Sequence, residues 1–207
     1  MRLFTRKTIA VHDGSFHADE VFACATLLMV PEFKNARIIR TRDETRLAKA
    51  DIVLDVGGIY DPNQKRFDHH QKETAGVRAN GILYATFGLI WKEYGPALVS
   101  NALTEKIDTS LVQGIDANDT GTAVYTLAFE DVGIITIQDI IASFRPFGDT
   151  SDKALDRGFK KAVAFAKRYL KFVITSATHQ EEVTSYLIEA SKKSPDPRYV
   201  VCDHAYS

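Results

Sequence analysis

The sequence predicts an α/β fold: a parallel-sheet domain followed by a partial, mostly helical second domain. Three observations lead there. Short apolar runs alternate with helical stretches through residues 8–56. Clusters of histidine and aspartate directly follow two of those runs. Towards the C-terminus Leu155, Phe159, Val163, Ala166 and Leu170 recur at helical spacing.

Thr8 to Val11 reads as the first buried strand, ending at His12. After a Gly-Ser loop, Ala18 to Met29 is apolar enough for a buried helix, which Pro31 stops. Ala36 to Thr41 is the second strand, and Asp43 to Lys49 gives one or two helical turns. Ile52 to Val56 is the third strand. It delivers Asp55 to its C-terminal end, beside Gly57 and Gly58. This alternation predicts parallel strands joined by crossover helices.

The chain then crosses a turn at Asp61-Pro62-Asn63 and returns through Phe67 to Asp68-His69-His70. Gln71 to Asn80 reads as a polar loop at the mouth of a site. Leu83 to Tyr94 is an amphipathic helix that places Trp91 in the core, and Gly95-Pro96 breaks it. Leu98 to Ile115 continues as helix into Asp116-Ala117-Asn118-Asp119. A short helix over Gln138 to Phe144 precedes Arg145 to Asp149, the expected linker, so the domains are expected at 1–145 and 146–207. Lys153 to Lys193 is one long helix or two joined ones, stopped by Pro195-Asp196-Pro197. Tyr199 to Cys202 is expected to begin a strand. Lys153, Arg157, Lys160, Lys161, Arg168 and Lys171 form either a solvated helix face or a phosphate-tracking surface.

The chain has 207 residues and a formal net charge of -1, so it has no global attraction for nucleic acid. Cys24 and Cys202 lack ligand spacing and read as ordinary thiols of a reducing compartment. The N-terminal apolar stretch is too short for a signal peptide, and no run approaches the ~20 residues of a membrane span. The expected address is the cytoplasm.

Four of the six histidines lie in two segments, His12 to Glu20 and Asp68 to Gln71. In α/β sheets the C-terminal edge of the strands is where ligands sit. Taken singly, each residue has a bland reading. His12 could be a polar strand end, Asp19 a helix cap, and Asp116 or Asp119 part of a helix end. Imidazole mixed with carboxylate suits Mn²⁺, Zn²⁺, Fe²⁺ or Co²⁺ better than Mg²⁺ or Ca²⁺. The absence of cysteine from the cluster argues against structural zinc. Lys72, Arg78 and Asn80 follow the histidine pair and read either as phosphate contacts or as a flexible basic loop. Glu20, beside Asp19 on a helix, is expected to face elsewhere.

HDGSFHADE, DVGGIYDP, FDHHQ and IDANDTG follow one another in the order of motifs of the DHH phosphoesterase superfamily. The chain resembles the branch named after the melanocyte proliferating gene product, described as metal-dependent hydrolases and RNA exonucleases. The resemblance extends through NGILYATFGLIWKEYG and, more loosely, RGFKKAVAFAKRYL. Members of that branch continue well beyond the last residue here, so the chain is expected to be a truncated piece or a short variant.

The resemblance implies two divalent ions. His12, His17 and Asp55 would hold one. Asp19, Asp55, His69 and either Asp116 or Asp119 would hold the other, with Asp55 bridging. His70 would face substrate phosphate, and Asp68 would orient a ligand histidine. Neighbours on an extended segment point in opposite directions, which fits separate tasks for His69 and His70. Where most of the superfamily has aspartate, this chain has His17. The added nitrogen favours Mn²⁺ or a later transition metal. The implied activity is two-metal hydrolysis of phosphodiesters, with RNA or a short oligonucleotide as substrate. The alternatives are a small-molecule phosphatase or pyrophosphatase and a catalytically silent scaffold.

Overall fold

The computed structural model describes residues 6–72, 75–129, 131–196 and 198–202. Glu73 and Thr74 of the expected loop and Pro197 of the expected helix stop lie outside them. Five strands, β1 (Thr8–Val11), β2 (Arg37–Arg40), β3 (Ile52–Leu54), β4 (Tyr60–Asp61) and β5 (Arg66–Phe67), form one sheet in the order β2-β1-β3-β5-β4. β1 is parallel to both β2 and β3, and β3 is parallel to β5. β4 runs antiparallel to β5 at the edge, where Asp61 caps the turn by accepting from Asn63 N at 3.0 Å.

The order β2-β1-β3 decides where the helices go. The chain steps from β1 to β2 through helix α1 (Ala18–Leu27). It then crosses back past β1 to β3 through α2 (Glu44–Ala48). Right-handed crossovers in opposite directions put their helices on opposite faces. The burial agrees. Ile9, Val11, Ile52 and Leu54 join α1 in the large core, whereas Ala10 and Val53 face Leu47 of α2. Alternation along each strand sends these two sets apart. The crevice beyond the ends of β1 and β3 is therefore a topological switch point, and His12 and Asp55 are the next residues of the two strands.

The large core is closed by α3 (Thr86–Tyr94), α4 (Asn101–Ile107), α5 (Gln113–Asp119), α6 (Ile137–Ala142) and α7 (Asp152–Lys193). Trp91 is buried and donates Nε1–H to Thr104 O at 3.0 Å. α3 starts later than expected because Val77 and Leu83 pair as an antiparallel bridge before it. The expected helix over Leu98 to Ile115 is instead α4 and α5 joined by a π-helical turn, Asp108–Val112. α7 is one helix of 42 residues, ~63 Å long. It buries Leu155, packs Phe159, Val163, Ala166 and Leu170 into the large core, and exposes Lys153, Arg157, Lys160, Lys161, Arg168 and Lys171. The segment expected as a linker is tied to the site, since Arg145 Nε donates to Phe16 O at 2.9 Å. The expected strand at Tyr199 to Cys202 does not form. Tyr199 and Val201 are exposed, and among the described residues no strand pairs with this segment. Among the described residues no helix is long and apolar enough to cross a membrane.

Candidate metal centre

β3 ends at Leu54 because Asp55 leaves the strand with φ of 54°. A non-glycine residue in this left-handed region is uncommon, and such strain gathers at functional sites. Gly57 and Gly58, at φ of 100° and 69°, continue the sharp turn at no steric cost. The turn aims the Asp55 carboxylate back into the switch-point crevice. Its Oδ2 lies 3.3 Å from His12 Nε2, and its Oδ1 lies 3.2 Å from His69 Nε2. Thr86, at the start of α3, donates its hydroxyl to Oδ1 at 3.1 Å.

Around His12, Nδ1 meets Asp13 O at 2.8 Å, which leaves Nε2 facing the crevice. Glu20 Oε1 lies 3.1 Å from that Nε2. Around His69, Nε2 lies 3.2 Å from Asp119 Oδ2 and 3.8 Å from Asp19 Oδ2. His17 Nδ1 is 4.0 Å from Asp119 Oδ1. Both oxygens of Asp19 are buried without a hydrogen-bond partner. Such orphaned carboxylate atoms are costly unless a cation completes them.

The donors fit divalent metal. Among the described residues, four sets of three place ligand atoms within 4.8 Å of one another: His12 with His17 and Glu20, Asp55 with His69 and His70, His17 with Asp19 and Asp119, and Asp19 with Glu20 and Asp55. Without metal, protons take the place of positive charge. Burial opposes the charged imidazole of His12, but hydrogen bonds to Asp55 and Glu20 outweigh it and push the pKa up to about 10. For His69, burial is likewise outweighed by Asp119 and Asp55, and the pKa rises to about 10. Burial, then the charges of Asp55, Glu20 and Asp119, hold Asp19 well above the usual carboxylate range. Burial would raise Asp55 too, but His12 and His69 hold it below that range.

The crevice thus gathers His12, His17, Asp19, Asp55, His69 and Asp119. Of the two aspartates left open by the sequence, Asp119 joins the cluster and Asp116 does not. Asp116 is fully buried one turn earlier, where Arg78 Nη1 lies 2.8 Å from its Oδ2 and Gly88 N donates to Oδ1 at 2.9 Å. Burial raises Asp116 to about 7, with Arg78 and the Gly88 N–H holding it back in part. Asp68 contacts His70 rather than His69: its Oδ1 lies 2.8 Å from His70 Nδ1, and its Oδ2 accepts from Gly58 N at 2.6 Å. The histidine pair does not splay as extended neighbours would. The ring centroids are 4.2 Å apart, and His70 Nδ1 also lies 3.5 Å from Asp55 Oδ1. Exposure separates the two instead, at 8% for the His69 side chain and 62% for His70.

Two expected phosphate contacts are engaged elsewhere. Arg78 is 8% exposed, and its fork holds Asp108. Asn80 Nδ2 donates to Gln113 Oε1 at 2.7 Å. A planar guanidinium matches carboxylates in two-point geometry, so the buried pair outcompetes an exposed role. Lys72 is exposed.

Two residues escape the sequence reading. Glu20 does not face elsewhere: its side chain reaches back to accept from His17 N at 2.9 Å, as the third helical residue of a capping box does. That spacing from the helix start was the available signal. Thr86 carried none, because only the fold brings α3 beneath Asp55. Beside the cluster, a cavity of about 320 Å³ is lined by Ala18, Asn118, Thr122, Tyr125 and Gln138, among others.

Residues 8–206 match the family model MYG1_exonuc, described as "Uncharacterised protein family (UPF0160)". A MYG1 exonuclease of Homo sapiens is 34% identical over 182 residues, covering 78% of this chain and 48% of the human protein. A MYG1 protein of Saccharomyces cerevisiae is 37% identical over 184 residues, covering 77% and 54%. A MYG1 protein of Chlamydia trachomatis is 35% identical over 161 residues, covering 77% and 51%. No solved structure matches. The chain spans about half the length of the curated relatives it matches. With a family match through nearly all of its length, the chain belongs to the MYG1 family.

Proposed function

We propose that the chain is the metal-binding part of a DHH-type hydrolase that cleaves phosphodiester bonds, acting as an exonuclease on RNA or short oligonucleotides. The observation that carries this reading is the buried, unpartnered Asp19 carboxylate beside Asp55, whose two oxygens face different histidines. His12, His17 and Asp55 would hold one ion, with Glu20 against His12. Asp19, Asp55, His69 and Asp119 would hold the other. Mn²⁺ suits this mixture of nitrogen and oxygen donors. When bound, such a pair supplies a water ionised near neutral pH and neutralises charge on the phosphoryl oxygens.

The chain's own residues do the rest. Asp55, pinned by Thr86 and its strained turn, fixes the separation of the two donor sets. Asp68 ties His70 Nδ1 and leaves Nε2 of this exposed ring to meet a substrate phosphate. The name of the human relative, MYG1 exonuclease, supports nucleic acid as the substrate class.

A small phosphoester or pyrophosphate is the second reading. The observation favouring it is the net charge of -1, which suits short substrates, since long polymers are held by many phosphate contacts. The test is turnover of a labelled short RNA, bis-p-nitrophenyl phosphate and pyrophosphate, after chelation and after Mn²⁺ is restored. Stepwise shortening of the RNA supports the exonuclease reading. Turnover of pyrophosphate alone moves the assignment to the second reading. No bound metal and no turnover leave a silent scaffold.

A further inference from the structure

Arg78 is a buried cation outside the metal cluster. It sits in the small hairpin closed by the Val77–Leu83 bridge, with its guanidinium 3.9 Å from the ring centroid of Tyr84. The fork reaches two carboxylates on one helical stretch. Nε and Nη2 donate to Asp108 Oδ2 and Oδ1 at 3.1 and 2.8 Å, and Nη1 forms an ion pair with Asp116 Oδ2 at 2.8 Å. Asp108 opens the π-helical turn, and Asp116 lies beyond it in α5. In an unbroken α-helix, residues eight apart are ~80° out of phase. The wider π turn brings them towards one face, and π turns collect at functional sites.

The neighbours pack closely around Asp116. A Cβ on Gly88 would overlap Asp116 Oδ2 and Arg78 Nη2, so α3 must present glycine there. Gln113 Nε2 donates to Asp108 Oδ2 at 2.7 Å, and Asn80 holds Gln113 in turn. One turn after Asp116, Asp119 reaches His69. A slip of one residue in α5 would turn Asp119 by ~100° away from it.

We propose that Arg78 is a positioning residue for the metal centre, clasping Asp108 and Asp116 across the π turn and so fixing the phase in which α5 presents Asp119. The inference rests on the metal reading above and adds the device that aims one of its carboxylates. It also ties the loop that follows the histidine pair to the helix that completes the centre.

A buried ion pair could instead serve only to balance charge, and two variants separate the roles. Arg78→Lys keeps the charge and loses the fork. Its Mn²⁺ affinity should fall about tenfold in calorimetric titration, as happens when groups supporting a ligand are removed. The double variant Arg78→Met/Asp116→Leu removes both buried charges, so the thermal midpoint of the chelated protein should stay close to wild type. Its Mn²⁺ affinity should still be at least about tenfold weaker. Wild-type affinity in a folded double variant would overturn the clasp. If the double variant does not fold, Arg78→Lys decides, and unchanged affinity there overturns it equally. Absence of Mn²⁺ binding by the wild type would overturn the metal reading itself and the clasp with it. That outcome is recognised before any variant is made.

Discussion

Oδ1 of Asp55 lies 3.2 Å from Nε2 of His69, while the other oxygen of the same carboxylate is turned to His12. One side chain thus stands between the donors that follow β1 and those that follow β5. Asp55→Asn tests this position cleanly. Asparagine tolerates φ > 0 better than most residues, so the strained turn should persist. Metal content, measured by inductively coupled plasma mass spectrometry, should collapse together with turnover while the circular dichroism spectrum is unchanged. Metal retained at the wild-type level would remove the bridging assignment.

Asp19 is held among the like charges of Asp55, Glu20 and Asp119, and among the described residues no hydrogen-bond donor reaches either of its oxygens. Removing its charge should help the metal-free fold and harm the loaded one. Asp19→Asn should raise the stability of the chelated protein by ~1 kcal/mol, or ~2–4 °C in thermal midpoint. The same variant should lose most of the stabilisation that Mn²⁺ gives the wild type. A lower midpoint in the chelated variant would mean that the carboxylate is structurally required.

His69 and His70 divide by exposure. His69→Ala should lower bound metal. His70→Ala should keep metal and reduce kcat about 100-fold, within the range of a positioned proton-transfer or phosphate-facing group. Equal loss of metal from both variants would show that the rings, 4.2 Å apart, serve one ion together.

His12 and His69 sit at about 10 in the metal-free protein, against an ordinary 6.5. A raised folded pKa means stability that is complete below the unfolded value and lost as pH rises through the folded one. The thermal midpoint of the chelated protein should therefore fall as pH climbs from about 6.5 towards about 10. Metal must displace the same protons, so Mn²⁺ affinity should rise over this window, by up to ~100-fold per unit if both leave together. Titration calorimetry in buffers of different ionisation enthalpy would count the protons. A pH-independent affinity would show that the imidazoles are not displaced from protons by metal.

The sequence by itself determined the alternation of strand and helix, and hence the parallel sheet. It also determined that His12 and Asp55 stand at strand ends. These are local matters, set by the period of apolar residues and by turn chemistry, and they follow from neighbours in the chain. Asp116 and Asp119 were indistinguishable at this level, because each is an aspartate at the end of a helical run. The tertiary structure decided between them through contacts 28 to 30 residues apart in the chain, from Gly88 to Asp116 and from Arg78 to Asp108. The same holds for Arg78, whose charge suits a phosphate or a carboxylate equally well until the hairpin folds onto α5. For Glu20 the reach of the side chain back over the first turn to His17 N, rather than its position beside Asp19 on the helix, decides where the carboxylate lies. Periodicity states which side of an element is apolar. It does not state which partner that side meets, or how a helix is phased by an inserted π turn. Close packing settles both: the Asp116 carboxylate fills the space beside Gly88, and Asp119 in the same helix lies 3.2 Å from His69.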